Sequence, residues 1–386
     1  PILADELIRD RSRLEDLKAL GRNQPFQLSF DDIVAASGPS ELRRAYRRHA
    51  FLIQADSLCS GTAVFNTLDQ MSALADAAIA AAYRLALGDL GGSAHPIEPS
   101  MMVVALGRLG MREFDLASDA DLVFILPDSD AGQQPFWTRV AERLMEVLGA
   151  YTGDGTVFSV DTRLRPNGRA GELVQLERAY NDYFTHSAEA WEGIAYMKAR
   201  AVAGHLERAT AFLHGLQQLD WRRYGQSHRS LPQLREIRLR LEREQGKSQP
   251  LKSGRGAYYD IDFTLLFLRL KGAGIFFKVL NTPERIDVLE KMGHLEREDA
   301  AFLLEAATLY RAAGKQLDLE RHHRGGQVVG ERIAPGDHAL ARDRVVDEHA
   351  AARDRRQVEV VPERRQARAL AGSALQRTPA RGGVRM

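Results

Sequence analysis

Six consecutive positions from Met101 to Leu106 are apolar, and so are five from Leu122 to Leu126; neither run alternates with polar residues. Short unbroken apolar runs predict strands covered on both faces. The first run ends on Gly107-Arg108-Leu109-Gly110. The second strand, predicted over Asp119–Leu126, opens on two aspartates and stops at Pro127. A third is predicted over Thr156–Leu164, closed by Pro166-Asn167-Gly168. Between the last two, Phe136, Val140, Leu144, Leu148 and Tyr151 recur every three or four residues and predict one amphipathic helix. Strands alternating with a helix over roughly 75 residues predict a small α/β unit.

On either side the pattern is helical. In residues 1–95, Leu42, Ala45, Tyr46, His49 and Leu52 sit at helical spacing among Arg43, Arg44, Arg47 and Arg48, and Asp69–Leu87 reads as an alanine-rich helix. The glycine- and proline-bearing stretch Gly88–Ser100 marks a boundary. Residues 176–320 predict helices at Asn181–Tyr196, Leu231–Gln245, Tyr259–Leu270 and Asp299–Gln316, with Gly272-Ala273-Gly274 as an interruption. The expected organisation is α+β: an N-terminal helical region (1–95), a core with a small mixed sheet (96–175), a C-terminal helical domain (176–320) and a tail (321–386).

That tail holds 14 arginines in 66 residues, with no lysine, Phe, Tyr or Trp. It lacks the apolar surface to offset its ordering entropy and is expected to be disordered. An arginine-rich, lysine-free segment also fits a shifted reading frame, which sequencing of the locus tests. His322-His323 has no further ligand nearby and reads as tail composition.

Lysine plus arginine (53) nearly cancels aspartate plus glutamate (52), so no bulk field points to nucleic acid. Cys59 stands alone, which excludes an internal disulfide and fits a reducing cytoplasm. No apolar run approaches the roughly 18–20 residues of a membrane span, so no membrane is expected as a partner. The chain opens on Pro1 rather than Met, as a fragment of a longer polypeptide would.

The chemistry concentrates at Ser118-Asp119-Ala120-Asp121-Leu122. Side chains two apart on a strand share a face, so Asp119 and Asp121 present neighbouring carboxylates. Like charges on an apolar strand call for a cation, and hard divalent ions such as Mg²⁺ take oxygen ligands. A solvated strand end is the competing reading of the pair alone. Gly107 and Gly110, upstream, allow backbone N–H groups to approach a phosphate; a plain turn is the alternative. Val157-Phe158-Ser159-Val160-Asp161 adds a third carboxylate on a second strand. Together the three make the donor set of a two-metal phosphoryl-transfer site. Arg163 and Arg165, sharing one side of an extended segment, are placed to pair Asp161 or clamp a triphosphate, unless they are surface arginines.

These blocks resemble bifunctional glutamine synthetase adenylyltransferase/adenylyl-removing enzymes. The resemblance rests on Gly107–Gly110, Glu113, Ser118–Leu122 and Val160-Asp161-Thr162-Arg163-Leu164-Arg165-Pro166-Asn167-Gly168. It extends to Trp191-Glu192, Lys198-Ala199-Arg200 and Lys252-x-Gly254-x-Gly256-x-x-x-Asp260-Ile261-Asp262-Phe263, covering roughly residues 1–320. Arg108 stands where the family usually has lysine, Met111 where it has glycine, and Asp262 where it has glutamate.

The resemblance implies a DNA-polymerase-β-like nucleotidyltransferase domain between helical bundles. It implies two Mg²⁺ ions held by Asp119, Asp121 and Asp161, and ATP as substrate. Gly107, Arg108, Gly110, Ser118, Arg163, Arg165, Lys198, Arg200 and Lys252 are the implied nucleotide-binding residues. It implies AMP transfer to a tyrosine of glutamine synthetase in the control of nitrogen metabolism, with a PII-type signalling protein as a further partner. The opening, Pro1 to Leu7, resembles the linker before the adenylylating half of such enzymes and favours that direction. The alternatives are the half that removes AMP by phosphorolysis, releasing ADP, and a catalytically silent module that binds glutamine synthetase or PII. A template-independent RNA polymerase is disfavoured by the near-neutral charge and the lack of an aromatic-studded basic stripe.

Overall fold

The computed structural model describes residues 2–20, 28–91, 100–272 and 281–321. The expectations for the tail beyond Arg321, for His322-His323 and for Ala273-Gly274 lie outside the described residues, as does most of the Gly88–Ser100 boundary.

The N-terminal helices are α1 (Ile2–Arg9), α2 (Arg13–Leu20), α3 (Asp31–Val34), α4 (Pro39–Cys59) and α5 (Val64–Gly91). Then come β1 (Met102–Ala105), α6 (Gly107–Gly110), β2 (Ala120–Leu126), α7 (Gln134–Gly149), β3 (Val160–Asp161) and β4 (Val174–Leu176). They are followed by α8 (Glu177–His186), α9 (Ala190–Tyr196), β5 (Arg200–Gly204) and α10 (Leu206–Asp220). The C-terminal helices are α11 (Ser230–Gln245), α12 (Pro250–Ser253), α13 (Tyr258–Gly272), α14 (Thr282–Lys291) and α15 (Arg297–Arg321).

A five-stranded mixed sheet organises the middle of the chain. β1 lies antiparallel between β2 and β5, while β3 and β4 both pair with the outer side of β2 in parallel. Successive β2 residues point to opposite faces, and both faces are covered. Ala120, Leu122, Phe124 and Leu126 join Val103 and Ala105 against α4, α5 and α7. Val123 and Ile125 join Met102 and Val104 against Tyr180, Phe184, Tyr196, Leu213 and Leu216 of α8–α10. Two-sided burial explains why these strands read as continuous apolar runs. It also means that Asp119 and Asp121, in step with Val123, open onto the α8–α10 side.

Several expectations need correction. The third strand is two residues rather than Thr156–Leu164; Val157 N donates to the Leu148 carbonyl at 3.1 Å, so its start is spent closing α7. Asn181–Tyr196 is not one helix. It breaks at Ser187–Glu189, where Glu189 and Glu192 form a reciprocal cap on the start of α9. Arg163 and Arg165 lie in a turn, not an extended segment. The sheet does not end by residue 175, because β5 at Arg200–Gly204 forms its other edge. Finally, α5 is long and apolar enough to cross a membrane by length and composition. Here its apolar positions, among them Met71, Leu74, Ala75, Ala78 and Ile79, are buried in the core against the sheet.

The C-terminal helices pack on the start of α5. Val64, Phe65 and Leu68 meet Ile261, Leu265, Ile286, Leu289 and Leu303 in one apolar cluster. Beneath them runs a buried polar chain. Glu113, just after α6 and fully buried, accepts from Thr282 N at 2.6 Å and Tyr258 Oη at 2.9 Å, and pairs with Arg311. Arg285, 1% exposed, donates to Thr282 Oγ1 at 2.8 Å and to Asp262 Oδ1 at 3.2 Å. Arg311 also stacks 3.8 Å from the Tyr258 ring centre.

Candidate active site

β2 and β3 bring two of the acidic residues together. In their parallel register Asp121 faces Asp161 and Ala120 faces Val160. Adjacent parallel strands lie about 4.8 Å apart, so the two carboxylates are neighbours on one face. Asp119, two residues earlier, is exposed at the mouth of the same face. Burial, then the Asp161 charge, pushes the Asp121 carboxyl up to about 6, against the pull of Lys198 and Lys252. Asp161 goes the other way. Burial raises it, but Arg163 overrides that through its backbone N–H at 2.9 Å and its guanidinium, and holds the carboxyl below its ordinary range. Among the described residues the three carboxylates are not gathered into a ready ligand cage, since Asp161 is turned onto Arg163.

The Gly107–Gly110 turn is wedged against this pair. Gly107 has φ +55, and a Cβ built on it falls 2.0 Å from Asp121 Oδ2. One built on Gly110 falls 2.0 Å from the Lys198 carbonyl oxygen. Both glycines are therefore close-contact positions: Gly107 lets the turn meet the Asp121 carboxylate, and Gly110 lets it meet the Lys198 backbone.

The basic residues divide into two sets. Arg108 bonds the Glu113 carbonyl at 3.1 Å and pairs with Asp115, and Ser118 Oγ donates to Asp115 at 3.2 Å. Arg165 donates to the carbonyls of Thr162 and Gly171 at 2.8 and 3.0 Å. Arg200 pairs with Asp76 of α5 at 2.6 Å and reaches the Leu109 carbonyl at 3.0 Å. These contacts brace the turns around the acidic pair from behind. Arg163, Lys198 and Lys252 instead face the acidic residues. Lys198 is bonded to Asp262, and the Lys252 ammonium lies 5.5 Å from the Tyr259 ring centre. Lys252 lies in α12, whose end is pinned by Arg238, which is 5% exposed, donates to the Ser253 carbonyl at 3.2 Å and forms an ion pair with the Asp260 carboxylate at 2.7 Å.

Sequence reasoning had no role for Asp76, Arg238, Arg285 or Arg311. Each is a charged residue turned into the packing of a helix, a signal that becomes specific only when its partners in the fold are known.

The profile of the glutamate-ammonia ligase adenylyltransferase family matches residues 12–215, more than half of the chain. The chain belongs to the glutamate-ammonia ligase adenylyltransferase family. The match to the adenylyltransferase profile takes in the sheet, the acidic pair, Lys198 and Arg200, and ends within α10. Curated relatives bear the name bifunctional glutamine synthetase adenylyltransferase/adenylyl-removing enzyme. The Nitrosococcus oceani protein is 31% identical over 371 residues, covering 86% of this chain and 38% of the relative. That of Xanthomonas axonopodis pv. citri is 32% identical, covering 84% and 36%. The Nocardia farcinica protein is 33% identical, covering 67% and 26%. The chain thus spans less than two fifths of the length of the curated relatives it matches.

Proposed function

We propose that this chain is a Mg²⁺-dependent nucleotidyltransferase, with a DNA-polymerase-β-like core, that moves AMP from ATP onto a tyrosine of glutamine synthetase. The observation that carries the reading is the parallel β2–β3 register, which sets Asp121 beside Asp161 with the Gly107 turn pressed on the Asp121 carboxylate. The donor set is all carboxylate oxygen from two adjacent strands, and a half-buried acidic pair is relieved by a hard cation, so the residues fit Mg²⁺. Asp119, Asp121 and Asp161 would hold it. When bound, the metal offsets phosphate charge and acidifies the attacking hydroxyl.

The chain's own residues supply the rest. Arg163 keeps Asp161 ionised. Lys198, Lys252 and Arg163 contribute positive charge at the mouth, where pyrophosphate leaves as the tyrosine oxygen bonds to the α-phosphorus; the hydroxyl proton passes to Asp161. Arg108, Arg165 and Arg200 act as braces, because their donors are already committed to the chain. Transfer toward glutamine synthetase is the direction favoured by the resemblance of Pro1 to Leu7 to the linker of the adenylylating half.

Incubation of the purified chain with α-labelled ATP, Mg²⁺ and unmodified glutamine synthetase tests this. Label should appear on the synthetase and vanish with Asp119→Asn, whose exposed side chain takes no part in the core. No label, with ADP released from AMP-modified synthetase and phosphate, would assign the chain to the opposite reaction. Gly107→Ala should also disable transfer. Its left-handed backbone costs an L-residue about 1–2 kcal/mol, and the new methyl displaces Asp121. A drop of roughly 100-fold or more is expected, as for the loss of one well-placed transition-state contact; wild-type turnover in that variant would refute the close-contact role.

A further inference from the structure

The Lys198 ammonium does not hang free at the acidic pair. It is bonded to Asp262 of α13, a carboxylate 2% exposed, which Arg285 of α14 grips from the far side at 3.2 Å. Arg285 in turn bonds Thr282, whose backbone N–H and hydroxyl are tied to Glu113 and Tyr258. Glu113 lies three residues past the Gly107–Gly110 turn, whose Gly110 touches the Lys198 carbonyl. Both ends of Lys198, backbone and ammonium, are therefore held, one by the catalytic turn and the other by the C-terminal helices.

We infer that Asp262 is a positioning residue for AMP transfer, holding the Lys198 ammonium at the acidic pair so that the C-terminal helices set the charge there. This rests on the proposed nucleotidyltransferase reading and deepens it. A lysine on a flexible four-carbon stem loses much rotamer freedom when it grips a phosphate; one already clamped to a buried carboxylate has lost it beforehand. Asp262 suits the task because it is shared. Arg285 balances its charge, so Lys198 keeps attraction to spare for an incoming anion. Burial raises the Asp262 carboxyl, but Lys198 and then Arg285 outweigh this and keep it ionised. The same ammonium opposes the upward shift at Asp121.

Two readouts on the full chain test the inference. The first is the acetylation rate of Lys198 mapped by mass spectrometry, with exposed Lys252 as internal control; it needs no nucleotide. Asp262→Asn should speed labelling of Lys198 at least fivefold and leave Lys252 unchanged, while Asp262→Glu should keep Lys198 protected. The second is equilibrium binding of ATP with Mg²⁺. Asp262→Asn and Lys198→Met should each weaken it at least tenfold, the double variant should be no worse than the weaker single one, and Asp262→Glu should recover most of the loss. A folded Asp262→Asn with wild-type Lys198 labelling and wild-type Mg-ATP affinity would overturn the assignment. If Asp262→Asn does not fold, Lys198→Met decides, because Asp262 keeps Arg285 there; unchanged Mg-ATP affinity in that variant overturns it equally. A wild-type chain that binds no Mg-ATP, yet whose Lys198 labelling responds to Asp262→Asn, would sink the nucleotidyltransferase reading and leave the clamp standing.

Discussion

Asp121→Asn should lower AMP transfer by roughly 1000-fold or more, about 4 kcal/mol of transition-state stabilisation, while the protein melts no lower than wild type. The two halves of this expectation share a cause. Asp121 is half-buried, beside Asp161, with the Gly107 turn against it. In the fold alone that charge is a burden, as the upward push on its carboxyl to about 6 shows. Asn keeps the shape, removes the repulsion with Asp161 and costs the fold nothing. It also removes one oxygen donor and its charge from the set proposed to hold Mg²⁺, and a neutral amide is a poor replacement for a carboxylate toward a hard cation. Transfer assays with calorimetric melting separate the two effects. A variant that loses activity and stability together would mean that Asp121 serves the fold rather than the reaction.

Glu113→Ala should show the opposite pattern and cost the fold about 3–5 kcal/mol, the range for breaking a buried ion pair from one side. The substitution strands Arg311, leaves the Thr282 N–H without its acceptor, and removes one partner of Tyr258. Urea denaturation reads the loss directly. The same residue predicts acid sensitivity. Burial raises its carboxyl, but Arg311 and next Arg285 reverse this, and the net direction in the folded protein is down from 4.5. A group whose folded pKa is depressed binds fewer protons folded than unfolded. Its stabilisation is complete above the unfolded value and is lost as pH falls through 4.5 and below. Asp262, also lowered and fully buried, adds to that slope. Wild type should therefore weaken steeply below about pH 4.5, and Glu113→Ala should show a shallower decline.

The catalytic candidates with local signatures were legible in the chain. Asp119 and Asp121 announced themselves because charge interrupts an apolar strand, and Gly107 and Gly110 because glycine punctuates one. The helix from Gln134 to Gly149 followed from its apolar period. Less legible were β4 and β5, three and five residues long. Strands so short carry no period of their own and exist through pairing with β2 and β1. The break between α8 and α9 was hidden as well, because Glu189 and Glu192 act as a cap only once both helices are placed.

Among the basic residues the two levels diverge most. Sequence placed Arg108, Arg163, Arg165, Lys198, Arg200 and Lys252 together as candidates for the nucleotide, since a cation near an acidic motif reads the same whatever it bonds. Packing separates them: Arg165 closes its own loop, Arg200 reaches back to Asp76, and Lys198 is clamped by Asp262. Strand faces, turn glycines and apolar periods are set by neighbours within a few residues, and sequence alone determined them. Which charges pair across 64 residues, as Lys198 and Asp262 do, or across 198, as Arg311 and Glu113 do, was decided by the tertiary structure. Only packing takes water away from such groups, and a buried charge must then find whichever opposite charge the fold brings to it.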